Sequence, residues 1–203
     1  MDYSPGLRGV IAGETEISTV GMEGTSLRYR GYDAVGLTST NTYEDVASLI
    51  IDDDLDGELF KQSFSNHYKK LSVDSKLIEL ISRLKTEQHP MDVIRTAISY
   101  IGEADESNKL DAASKVTAIA CLAIASYNKE SSEMLNQKYT VASSLLPNSS
   151  TEQQLEALDD MLILYAEHGF NASTFAARVT ASTRSDLISA IVSGVGTLKG
   201  ELH

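Results

Sequence analysis

With 203 residues and 42% hydrophobic content, the chain can bury a substantial core, hiding roughly 70% of the surface it exposes when unfolded. Its net charge of −12 excludes a general nucleic-acid binder, which needs a basic face against phosphate, and argues against docking on an anionic membrane. The single cysteine, Cys121, can form no internal disulfide and reads as a small buried hydrophobe. No basic-then-apolar leader opens the sequence, and no apolar run approaches the ~20 residues that cross a bilayer. The expected compartment is therefore the cytoplasm, and the sequons at Asn148 and Asn171 carry little meaning.

In chain order, residues 1–36 are rich in glycine and have little helical period. Glu16 to Val20 and Thr25 to Arg30 read as two short strands joined by Gly21-Met22-Glu23-Gly24. In the second, Leu27 and Tyr29 alternate with Arg28 and Arg30, the period of a half-buried hairpin, and Gly31-Tyr32-Asp33 turns the chain out of it. Residues 42–203 read as helical throughout. Thr42 with Asp45 forms a capping start ahead of Val46, Leu49 and Ile50. Asp52, Asp53, Asp54 and Asp56 make a solvated turn, since the Gly and Glu of a calcium loop are absent. Leu59, Phe60 and Phe64 mark a short helix, and Leu77, Leu80, Ile81 and Leu84 give a clear helical stripe.

Pro90 opens the next helix, where its missing N–H costs nothing, and Gly102 closes it; Val93, Ile94, Ala97, Ile98 and Ile101 form the buried side. Residues 112–127 follow as a nearly all-apolar helix, which must be buried on all sides and suggests a subunit interface. Lys138 to Asn148 is a loop or short helix broken by Pro147. Ser150 with Gln153 is the expected cap of a helix carrying Leu155, Leu158, Met161, Leu162 and Tyr165, interrupted at Gly169. Residues 172–199 can be drawn as one helix. No repeat or linker marks a domain boundary, so the expected fold class is mainly α with a small N-terminal β-hairpin.

Motifs with chemistry are few. Gly194-Val195-Gly196-Thr197 with Lys199 and Gly200 lacks the ending of a phosphate loop and closes a helix where such a loop would open one, so helix packing explains it better. No C-x-x-C, H-E-x-x-H or G-x-S-x-G occurs, which leaves zinc and hydrolase chemistry without support. His67, beside Lys69 and Lys70, is expected to be exposed, and His89 to serve a local structural role before Pro90. His168 is harder to assign to structure alone, because it ends an apolar helix beside Asn171, Ser173 and Thr174.

Long blocks then carry a resemblance. PGLRGVIAGETEIS at residues 5–18, LRYRGYD at 27–33, YEDVASLI at 43–50 and HPMDVIRTAIS at 89–99 resemble citrate synthase, as do ILYAEHGFNASTFAARVTAST at 163–183 and GTLKGELH at 196–203. They stand in the family's order, and the flavour is that of the short bacterial or archaeal type, which includes 2-methylcitrate synthases. Residues 52–88 and 130–150 match weakly. The resemblance implies an almost all-helical fold and a condensation of acetyl-CoA with oxaloacetate, followed by hydrolysis of the citryl thioester, with acetyl-CoA as co-substrate and no other cofactor or metal. It implies that His168 binds oxaloacetate, that Asn171 and Ser173 belong to the same site, and that Ser173 helps orient His203. It implies that His203 donates a hydrogen bond to the thioester oxygen as the enol forms. A homodimer through helix 112–127 and its neighbours is also implied.

Gly169 departs from the family's acidic residue and Glu201 from its proline. The sequence stops at His203, where the family continues into the small domain, a second catalytic histidine, an aspartate base and the arginines that clamp oxaloacetate. Residues 1–203 thus correspond to the N-terminal part of the large domain, expected to be inactive alone. A non-catalytic helical interaction protein, a helical subunit completed by a second polypeptide, and a 2-methylcitrate synthase using propionyl-CoA remain as alternatives.

Overall fold

The computed structural model describes residues 13–21, 26–128 and 139–203. Most of the expected hairpin loop 21–24, the first half of the block at 5–18, and the stretch 129–138 lie outside the described residues. The period-two pattern does form a sheet, with strands shorter than expected. β1 (Ser18–Thr19) pairs antiparallel with β2 (Arg28–Tyr29), Ser18 opposite Tyr29. The turn expected at Gly31 to Asp33 instead contributes a third strand, β3 (Tyr32–Asp33), antiparallel to β2. Arg30 and Gly31, at φ 48° and 89°, provide the two left-handed residues that a tight hairpin turn demands.

The described helices are α1 (Ala34–Thr38), α2 (Tyr43–Asp52), α3 (Glu58–Ser72), α4 (Ser75–Leu84), α5 (Pro90–Tyr100), α6 (Lys109–Asn128), α7 (Val141–Leu145), α8 (Glu152–Leu164), α9 (Ala172–Ser182) and α10 (Leu187–Leu198). The mainly α fold with its N-terminal hairpin is as the sequence implied. Thr42 and Asp45 make the expected capping box, each side chain taking the other's backbone N–H, and His89 caps α5 with Nδ1 accepting from Met91 N at 3.1 Å. The aspartates after α2 bond to backbone: Asp54 and Asp56 accept from the N–H groups of Asp56 and Glu58, which confirms a turn. Among the described residues no cluster of three or more His, Cys, Asp or Glu could hold a metal.

Three expectations need correction. α3 runs fifteen residues rather than a short helix, because Tyr68 and Leu71 continue the buried stripe of Phe60 and Phe64; Leu59 faces solvent. The α8 cap is Thr151 with Gln154, one residue later than Ser150 with Gln153, since both pairs have the same spacing and only tertiary register separates them. Residues 172–199 form two helices. Arg184 adopts φ 64°, and Asp186 then caps α10 by accepting from Ser189 N at 2.9 Å, so the chain doubles back as a helical hairpin.

The larger core gathers Phe60, Phe64, Tyr68, Leu77, Ile81, Val93, Ile98, Ile119 and Leu122 from α3 to α6, with Ile188 of α10. Cys121 is buried there. α6 is long and apolar enough to span a membrane, contrary to the sequence reading, yet it is the central helix, packed by α3, α5 and α7. Its own chain thus buries much of the surface that suggested a subunit interface. A smaller core joins Tyr29, Ala34, Leu37, Val46 and Leu49 to Ile163 of α8. Tyr29 is fully buried, and its hydroxyl donates to the carbonyls of Ile163 at 2.8 Å and Leu164 at 3.1 Å. That contact fixes the sheet to the end of α8, directly before His168.

Candidate functional site

The segment between α8 and α9 and the first turn of α9 carry three of the four site residues that the sequence singles out. Gly169 lets the chain turn after His168 by adopting φ 92°. Glu167 anchors this turn. Its carboxylate accepts from Gly169 N and, at 3.2 Å, from Ser18 Oγ of β1, so the small sheet braces the loop. Phe170 lies under the Arg178 guanidinium, 4.5 Å from ring centre, and against Gly13. The sequence pattern singled out none of Glu167, Ser18 or Phe170. The signal available was only their place inside the family-like blocks.

Asn171 organises the polar group. Its Oδ1 accepts from Thr174 N at 2.8 Å, capping α9, and from Ser173 Oγ at 2.6 Å. Those two donors fix which end of the amide is oxygen, leaving Nδ2 to face His168 Nε2 at 3.2 Å. In neutral imidazole Nε2 is then the acceptor, and the proton resides on Nδ1, presented to solvent by an exposed side chain. His168, Asn171 and Ser173 therefore form one contiguous group joined through the Asn171 amide.

Ser173 is buried, and its hydroxyl goes to Asn171; among the described residues no hydrogen bond joins it to His203. The link to α10 is steric. A Cβ on Gly194 would sit 3.2 Å from the Ser173 carbonyl, so the glycine allows the two helices to approach at the site. His203 follows the end of α10 in a turned segment, its N–H donating to Gly200 O at 3.0 Å and its side chain exposed. The structure brings His168, Asn171 and Ser173 together and places His203 on the neighbouring helix end, without a bond between them.

None of these residues lines the broad groove on another face of the chain. An open groove of about 850 Å³ lies among α1, α2, α7 and α8, lined by Glu44, Glu152, Glu156, Asp159 and Asp160 with Thr38, Thr42 and Thr140. Glu44 accepts from Val141 N at 2.8 Å, and Asp159 from Tyr43 N at 3.0 Å. Burial, reinforced by the nearby Glu44 carboxylate, pushes the Asp159 carboxyl up to about 6.

His67 is not the free surface histidine that its neighbours Lys69 and Lys70 suggested. Nε2 meets Asp111 Oδ1 at 2.9 Å, Ser63 Oγ donates to the same oxygen at 2.5 Å, and Ser114 Oγ donates to Ser63 Oγ at 2.7 Å. Both serine and histidine converge on one carboxylate oxygen. With no Ser63–His67 bond, the group has no base to activate its serine, and it staples α3 to α6. The Ser63 hydroxyl, then His67, hold the Asp111 carboxyl below its usual range.

The helical hairpin, the braced histidine loop and the short N-terminal sheet define a citrate synthase-type fold. The citrate synthase of Thermoplasma acidophilum, solved in ternary complex with carboxymethyl coenzyme A and oxaloacetate, superposes with TM-score 0.82 at 22% identity, over 100% of this chain and 57% of its own. The family described as "Citrate synthase, C-terminal domain" matches residues 6–203, and the chain belongs to the citrate synthase family. It is 37% identical to a 2-methylcitrate synthase of Mycobacterium tuberculosis, over 100% of this chain and 55% of that protein. It is 34% identical to a citrate synthase of Mycolicibacterium smegmatis, over 98% and 57% respectively. The chain thus spans about half the length of the curated relatives it matches.

Proposed function

We propose that these 203 residues are the N-terminal part of the large domain of an acyltransferase that condenses acetyl-CoA with oxaloacetate to give citrate and CoA. In this reading His168 binds oxaloacetate through its Nδ1 proton, directed outward by Asn171, while Ser173 holds Asn171 in place. His203 is the catalytic donor. Its ring N–H meets the thioester oxygen as that oxygen gains negative charge on enolisation, a contact whose loss typically costs ~10² to 10³ in rate. The observation that carries the reading is the ordered chain from Ser173 Oγ through the Asn171 amide to His168 Nε2.

These residues supply donors and no base. By resemblance, the aspartate that removes the methyl proton, a second histidine and the arginines that neutralise a dianion belong to the length that the relatives carry beyond this match. The 203 residues alone are therefore inactive in the proposal. Propionyl-CoA is the second acyl donor to consider, because relatives at 37% identity are named 2-methylcitrate synthases. The proposed protein is cytoplasmic and homodimeric. The half-buried row Val116, Ala120 and Ile124, spaced four apart along α6, supports a partner helix seated there with its neighbours.

The test is thiol release from acetyl-CoA and propionyl-CoA, with and without oxaloacetate, by the 203-residue chain. No oxaloacetate-dependent release is expected. Release at a rate typical of enzymes would show that a base and a dianion clamp exist within these residues and would overturn the proposal.

A further inference from the structure

We infer that Asp92 of α5 is a positioning residue for His203, acting through Lys199. The inference rests on the reading of His203 as a hydrogen-bond donor and extends it to what holds the donor still.

His203 lies on a short segment with little support of its own. After α10 the backbone turns through Lys199 N to Gly196 O, Gly200 N to Thr197 O and His203 N to Gly200 O, at 3.4, 3.1 and 3.0 Å. Glu201, Leu202 and His203 are exposed, Leu202 fully so. Among the described residues one side-chain hydrogen bond joins residues 199–203 to another element: Lys199 Nζ to Asp92 Oδ2 at 2.5 Å. It spans 107 positions of sequence and lands at the first turn of α5.

Asp92 is built to receive it. Its side chain is only 15% exposed, and its other oxygen accepts from Arg95 Nη2 at 2.9 Å. Arg95 in turn crosses α10 at Gly196, where an added Cβ would meet its guanidinium at 3.7 Å. The Lys199 hydrogen bond, ahead of the charges of Lys199 and Arg95, holds the Asp92 carboxyl below its usual range. At the opposite end of α10, Glu106 accepts from Leu187 N at 2.8 Å, a favourable anion at a helix N-terminus. α10 is thus tied at both ends to α5 and the loop after it, and the Asp92 tie is the one four residues from His203. An exposed ring on a loosely held turn samples many orientations, and holding it toward one oxygen requires such a second contact.

The tether is tested on the 203-residue chain with ¹⁵N-labelled histidine, the His203 ring signals being assigned by loss in His203→Gln. Asp92→Asn and Lys199→Met are each expected to move the His203 ring signals to the positions of a disordered peptide. Both should also speed amide exchange at residues 200–203 by on the order of tenfold. The ring signals of His67 and His168 should stay in place, which a general loss of structure would not allow. Lys199→Arg, which keeps a cationic donor for Asp92, is expected to retain the parent signals. Unchanged His203 signals in both single variants, parent signals already at disordered positions, or loss of the signals in Lys199→Arg would each overturn the inference. If Asp92→Asn fails to fold, Lys199→Met on the more exposed partner decides alone. No turnover is read, so silence in the thiol-release assay leaves this test intact. Failure of the tether likewise leaves the role of His203 to be judged by catalysis.

Discussion

Carboxylates line both the groove among α2, α7 and α8 and the seam between α5 and α10, with opposite consequences. In the groove Asp159 faces Glu44 and finds only a backbone N–H, so burial and like charge favour its neutral form. On the seam Asp92 finds Lys199 and Arg95, and its charged form is favoured. The seam lies beside the histidine-bearing helix end, the groove away from it. Whether a carboxylate meets a cation or a second carboxylate therefore decides which of its forms the fold favours.

The largest expected effect breaks the groove side. Gly57 sits against α2, where an added Cβ would lie 2.4 Å from Asp45 N and 2.5 Å from the Glu44 carbonyl carbon. Backbone atoms cannot yield as side chains do, so Gly57→Ala is expected to destabilise by about 2–3 kcal/mol, read by urea unfolding. A smaller effect of opposite sign comes from Asp159. Its carboxyl is raised to about 6 in the fold from 3.8, so it favours folding fully below the unfolded value and loses that contribution as pH rises through about 6. Asp159→Asn should therefore stabilise at pH 7 by about 1–2 kcal/mol, after allowance for solvent screening, and flatten the stability profile between about pH 4 and 6. Asp92, Asp111 and Asp186 have lowered values, so their contribution is present at neutral pH and lost as pH falls through the acidic range below 3.8. Chemical unfolding across pH should show a maximum near about pH 4 in the parent, with the fall above it absent in Asp159→Asn.

Tyr29→Phe sharpens the comparison from the site side. It removes the hydroxyl that bonds Ile163 and Leu164 and should cost about 1 kcal/mol, since the Ile163 carbonyl still accepts from Ala166 N. The same variant should accelerate amide exchange at residues 165–169, because the sheet then grips the loop less firmly. Least visible in stability is Lys199→Met. With its lysine end exposed and Arg95 still paired to Asp92, the contact contributes little, so the melting temperature should hardly move even where the His203 signals do.

Much of the fold was legible because local signals are strong where they are chemically distinct. The Thr42–Asp45 box, Pro90 at the start of α5 and the Leu77–Ile81 stripe all state their geometry in a few residues. The break between α9 and α10 was not legible, since Thr183-Arg184-Ser185 contains neither glycine nor proline and the turn depends on Arg184 accepting a left-handed conformation. The α6 helix misled for another reason: an all-apolar surface demands burial without saying by whom, and α3, α5 and α7 of the same chain supply much of it. Within the site, His168, Asn171 and Ser173 were visible as neighbours in sequence. Glu167 with Ser18, His67 with Asp111, and Lys199 with Asp92 were not, because each pair is separated by at least 44 positions and depends on how elements pack.

In the proposed function His203 supplies the hydrogen bond to the thioester oxygen. The most direct measurement is the rate of thiol release from acetyl-CoA by this chain fused to the remaining length of the Mycobacterium tuberculosis relative, with His203 intact and as His203→Gln. An active parent fusion and a fall of ~10² to 10³ in kcat on substitution are expected, with oxaloacetate binding retained. An active fusion whose kcat is unchanged by His203→Gln would contradict it.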